Sequence, residues 1–81
     1  MRVTVRLFAR LRDIAGAAEL VRDVPANATI GTVWAQLAVE FPDLLPYARS
    51  ISSAVNLEYA PMDRAVADGD DIAFLPPVSG G

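Results

Sequence analysis

The chain has 81 residues, 53% of them hydrophobic, a formal net charge of −3, and neither cysteine nor histidine. That composition describes one small domain with a packed core. It excludes disulfides, the usual zinc ligand sets and the Ser–His or Cys–His pairs of nucleophilic enzymes.

A net negative chain also argues against nucleic-acid binding through a broad basic field. The opening stretch, Met1 to Arg6, alternates too early for a signal peptide. No apolar run approaches the roughly 20 residues needed to cross a bilayer. A soluble cytoplasmic protein without membrane contact is expected. All seven basic residues are arginine. A GC-rich or thermophilic source explains this most simply. A functional reading is that the chain carries no side-chain amine that an activated carboxyl could attack.

Arg2 to Phe8 reads as a half-buried strand, with Val3, Val5 and Leu7 on one face and Arg2, Thr4 and Arg6 on the other. Arg10 to Ala18 reads as a connection containing Gly16. Glu19 to Val24 reads as a second strand, with Leu20, Arg22 and Val24 on one side and Val21 and Asp23 on the other. Thr29 has the chemistry of a helix N-cap. After it, Ile30, Val33, Trp34, Leu37, Ala38 and Phe41 recur at spacings of three and four and form one apolar helical face. Pro42 stops this helix.

Pro42 to Ser50 is irregular, with short helical turns. Ile51 to Val55 is a third strand, Asn56-Leu57-Glu58 a turn, and Tyr59 to Met62 a short strand or extended loop. Asp68-Gly69-Asp70 signals a tight turn. Ile72 to Leu75 is the last strand. The Asp68, Asp70 and Asp71 cluster lacks the loop length and terminal glutamate of a calcium site and reads as a solvated turn, so no metal is expected.

Two hairpins separated by a helix predict an α+β fold: a mixed sheet of four to five strands with one main helix on one face. The first and last strands then lie side by side and parallel at the centre, with the helix in the crossover between the halves. This is the β-grasp, ubiquitin-like layout. It predicts a domain over residues 1–75 and a flexible tail over 76–81.

That tail reads Pro76-Pro77-Val78-Ser79-Gly80-Gly81. The prolines have fixed φ and lack N–H donors, which disfavours extending the strand. The glycines have no side chains and fit a narrow channel. Gly81 presents the one reactive group expected here, its α-carboxylate.

The stretches Leu7-Phe8-Ala9-Arg10-Leu11-Arg12, Ala54-Val55-Asn56 and Asp68 to Gly81 together resemble the small subunit of molybdopterin synthase. This is a ubiquitin-like sulfur carrier family of molybdenum cofactor biosynthesis. The absence of lysine departs from the family pattern. The resemblance implies that a ubiquitin-activating-type adenylyltransferase uses ATP-Mg to convert the Gly81 carboxylate to an acyl-adenylate. Sulfur from a persulfide enzyme then displaces AMP and leaves a thiocarboxylate.

The resemblance further implies that the charged tail enters the large subunit, within a heterotetramer of two small and two large subunits. There the sulfur converts cyclic pyranopterin monophosphate to a dithiolene. On this reading Gly81 carries sulfur, and Gly80, Ser79, Val78, Pro77 and Pro76 form the inserted tail. Val78 to Gly81 extend over at most about 13–14 Å.

Phe8, Tyr59 and Leu75 match positions of an apolar docking face, with ordinary core as the alternative for Phe8 and Leu75. Arg10 and Arg12 meet an acidic partner surface or the adenylate, or lie in a solvated loop. No cofactor is bound permanently, and the chain is not catalytic alone. The alternatives are a protein modifier, a carrier for thiamine or tRNA thiolation, and a passive interaction domain.

Overall fold

The computed structural model describes residues 1–77. In chain order it contains β1 (Arg2–Leu7), α1 (Ala9–Ala15), β2 (Glu19–Asp23), α2 (Ile30–Glu40), a 3₁₀ helix (Pro42–Tyr47), β3 (Ser52–Val55), β4 (Glu58–Tyr59) and β5 (Asp71–Leu75). The five strands form one sheet in the order β2-β1-β5-β3-β4. The chain thus has the expected mixed sheet and main helix. β1 and β5 are parallel at its centre, with Val5 opposite Ile72 and Leu7 opposite Phe74.

Strand alternation determines which face is buried. Val3, Val5 and Leu7 of β1, and Ile72 and Phe74 of β5, are buried under α2. From the helix, Ile30, Val33, Trp34, Leu37 and Ala38 complete this core. The Trp34 and Phe74 rings meet edge to face, with centroids 5.0 Å apart, a favoured aromatic geometry.

Thr29 caps α2 as its position predicts. Its hydroxyl accepts from Thr32 N at 3.2 Å, and Thr32 Oγ1 accepts from Thr29 N at 3.0 Å. Two orphan N–H groups of the helix start are thereby satisfied reciprocally. Pro42 follows the C-cap residue Phe41 and opens the 3₁₀ helix, a short helical turn of the kind expected in this segment, which buries Leu44 in the core.

One element differs in kind from the sequence reading. Arg10 to Ala18 is not simply a connection, because Ala9–Ala15 form α1. Leu11 is buried and Ile14 and Ala15 are half-buried, a spacing of three and four that places them on one helical face. Gly16 ends the helix at φ 76, donating its N–H to Arg12 O at 2.8 Å, the left-handed C-cap that glycine adopts without strain. β4 is also shorter and earlier than Tyr59 to Met62 suggested. It spans Glu58–Tyr59 and pairs with Val55 and Ala54.

Candidate functional site: the open face and the end of β5

The core cluster and α2 lie on one side of the sheet, and strand register determines what the other side presents. Glu19 pairs with Arg6, Arg6 with Ala73, Ala73 with Ala54, and Ala54 with Tyr59. These five residues form one row across the sheet. Leu75 lies two residues beyond Ala73 on the same face and pairs with Ser52. Phe8 continues β1 in extended geometry, φ −123 and ψ 152, so it follows Arg6 onto that face.

The expected docking residues therefore share one surface, with Phe8 and Leu75 at the end where β5 leads into Pro76 and Tyr59 in the central row. Tyr59 is 79% exposed and Phe8 44% exposed, whereas Leu75 is half-buried. Phe8 is thus outside the core. Ala54, 9% exposed, and the half-buried Ala73 sit between these residues. Sequence reasoning missed them, although the alternation of Ala73 with Phe74 carried the signal. Their short side chains leave a flat centre flanked by larger apolar groups. A shallow groove of about 400 Å³ adjoins it, lined in part by Ser52, Tyr59, Pro61 and Met62.

Phe8 is aimed by backbone geometry. The next residue, Ala9, has φ 52, a left-handed conformation costing a non-glycine residue roughly 1–2 kcal/mol. The chain turns there from β1 into α1, leaving Phe8 at the sheet's rim.

Charge occupies the other half of the face. Arg6 Nε donates to both Asp71 oxygens at 2.9 and 2.8 Å, and Arg6 Nη1 lies 2.9 Å from Glu19. The hydrogen bond to Asp71 and the Asp71 charge, reinforced by Glu19, raise the Arg6 pKa above its ordinary value. Arg6 therefore stays charged and ties β2, β1 and β5 together on the open side. The exposed pair adds little stability of its own.

The aspartate turn is explained by its bonds. Asp68 Oδ1 accepts from Arg2 N at 2.7 Å, and Asp70 Oδ2 accepts from Ala67 N at 2.7 Å. Asp70 Oδ1 accepts from Asn56 Nδ2 at 3.1 Å. These carboxylates fasten the entry to β5 to neighbouring loops and strands. Among the described residues no group of three or more acidic, histidine or cysteine side chains is arranged to hold a metal ion.

Arg10 and Arg12 both lie exposed on α1 rather than in a loop. Pro76 is half-buried and Pro77 exposed immediately beyond Leu75. Val78, Ser79, Gly80 and Gly81 lie outside the described residues. Among the described residues no helix is long and apolar enough to cross a membrane.

The ThiS family model matches residues 5–81. A molybdopterin synthase sulfur carrier subunit of Chlamydomonas reinhardtii is 35% identical, with 100% of each chain covered. Small archaeal modifier protein 1 of Haloferax volcanii is 38% identical over 94% of this chain and 97% of its own length. The crystal structure of SAMP1 from Haloferax volcanii superposes with a TM-score of 0.86 at 33% identity, covering 100% of both chains. Family match, full-length likeness and β-grasp topology agree: the chain belongs to the ThiS family, among the molybdopterin synthase sulfur carrier subunits.

Proposed function

We propose that this chain is the sulfur-donating small subunit of a molybdopterin synthase and that Gly81 is the carrier group. The observation that carries the reading is the alignment of two features at one end of the sheet. The apolar strip runs from Tyr59, Ala54 and Ala73 in the central row to Leu75 and Phe8, beside the point where β5 passes into Pro76. A partner seated on that strip receives the diglycine tail directly from a central strand held on both sides. Rigid presentation of this kind lowers the entropic cost of placing a reactive end in a partner's active site.

The chemistry divides between chains. A carboxylate is a poor electrophile, so an adenylyltransferase transfers AMP from ATP-Mg to the Gly81 carboxylate and releases pyrophosphate. The outer sulfur of an enzyme persulfide displaces AMP to give an acyl disulfide, and a second thiol then attacks the enzyme's sulfur, forming a disulfide and releasing the thiocarboxylate. The large subunit then supplies the acid–base groups for dithiolene formation from cyclic pyranopterin monophosphate. This chain has no histidine, cysteine or lysine for such steps. Its part is docking, reach and carriage.

The test is reconstitution with the large subunit, the adenylyltransferase, a persulfide donor and the pterin precursor. Deleting Gly81, or adding one residue after it, is expected to abolish dithiolene formation while leaving the melting temperature nearly unchanged. A Gly81-deleted chain that still supports dithiolene formation would falsify the carrier mechanism.

The second reading, a protein modifier joined to target lysines through the same glycine, is favoured by the likeness to small archaeal modifier protein 1. Intact-mass analysis of the protein from its native cells separates the two. A thiocarboxylate supports the carrier, and higher-mass lysine conjugates support the modifier.

A further inference from the structure

The two edges of the sheet are built differently. β4 exposes an edge only two residues long, Glu58–Tyr59. β2 exposes one five residues long, Glu19–Asp23. Long open edges invite another strand, because their outward N–H and C=O groups lie beyond the ladder.

The register identifies those groups. Val24 N donates to Met1 O at 2.7 Å and Leu7 N to Ala18 O at 2.9 Å. Hydrogen-bonded pairs recur at every second residue of an antiparallel ladder. Leu20 and Arg22 therefore bond toward β1, while Glu19, Val21 and Asp23 point their backbone groups away from the sheet.

The carbonyl at the centre of this edge is already taken. Arg22 Nη1 donates to Val21 O at 2.8 Å. The same guanidinium is held by Glu40 at the end of α2, through Nε to Oε2 at 3.0 Å and Nη2 to Oε1 at 2.6 Å. A planar fork fixed by a bidentate carboxylate is far less mobile than a free arginine.

The edge is also self-complementary. In an antiparallel pair of β2 strands centred on Val21, Val21 faces Val21, and each Val21 carbonyl accepts the other's N–H. Glu19 then faces Asp23, and both acids already carry arginine partners within their own chain, Arg6 and Arg2. Charge repulsion across the pair is thereby weakened, which leaves the Arg22 cap as the principal barrier. We propose that the Arg22–Glu40 pair is an edge guard that keeps a second copy of this chain from adding its β2 strand at Val21.

Sedimentation velocity over a concentration series tests this on the full chain and three variants, with circular dichroism to check folding. The native chain is expected to stay monomeric. Arg22→Ala is expected to dimerise, with an association constant raised about tenfold or more, and with slowed amide exchange at Val21 in the dimer. Glu40→Ala, which frees the guanidinium without deleting it, is expected to give a smaller rise.

The double variant Arg22→Ala with Val21→Pro is expected to return to monomer, because proline removes the outward donor without breaking a bond to β1. A folded Arg22→Ala chain that stays monomeric, or a dimer that survives Val21→Pro, overturns the proposal. Should Arg22→Ala fail to fold, Glu40→Ala decides by the same measurement. A folded Glu40→Ala chain no more associated than the native chain likewise overturns it.

Discussion

The two faces of the sheet come from the same strands and differ in character. Under α2, Val5, Leu7, Ile72 and Phe74 are almost wholly removed from water. Across the sheet the same strands present Arg6, Phe8, Ala73 and Leu75. Neighbours in sequence, Phe74 and Leu75, thus lie on opposite faces, one in the core and one on the proposed docking strip. A period of two makes this division automatic once one face is buried. It also means that a single-residue slip of β5 exchanges the two faces.

The largest effect that tests this contrast is on the buried side. Phe74→Ala removes a fully buried ring that meets Trp34, and is expected to cost about 3–5 kcal/mol of stability. Denaturant unfolding measures it.

Leu75→Ala is expected to do the reverse, weakening large-subunit binding about tenfold while shifting the melting temperature only slightly, in the range of interface residues that matter. Binding calorimetry and thermal unfolding of both variants decide the matter. An intact affinity for Leu75→Ala would place the docking strip elsewhere.

Away from both faces, Thr29→Ala removes the helix cap and is expected to cost about 1 kcal/mol, with binding unchanged. An affinity loss larger than the stability loss would mean that α2 takes part in docking.

The smallest effect is a gain. Asn56 and Leu57 have φ of 50 and 73, as required of both central residues of the two-residue hairpin turn between β3 and β4. Leu57 is 97% exposed, so its side chain contributes no packing to offset the left-handed strain. Leu57→Gly is expected to stabilise the fold by about 1 kcal/mol, the left-handed penalty relieved less the chain entropy lost. Unchanged or lower stability on chemical unfolding would show that the turn is not strained.

How much was legible follows from the range of the signals. The alternation of β1 and β2, the apolar stripe of α2, the Thr29 cap and the stop at Pro42 are all patterns within a few residues, and the structure has each of them. Helix α1 was missed because seven residues give only one apolar cluster, Leu11 with Ile14 and Ala15, too few to show a period. Leu75 could be placed opposite Phe74 from alternation alone. Phe8 could not be resolved between core and surface, because an apolar residue at a strand's end satisfies either.

By itself, the sequence determined which residues face inward, where α2 begins and ends, and that the chain has neither cysteine nor histidine. Hydrophobic periodicity and residue chemistry are local properties, and they suffice for that. Only the tertiary structure decided which outward residues become neighbours. Arg6 and Asp71 are 65 positions apart in the chain, and Tyr59 joins Ala73 only through Ala54 on β3. Such contacts depend on strand order and register, and these follow from how the two hairpins and the helix bury their apolar faces together, not from any pattern inside one segment.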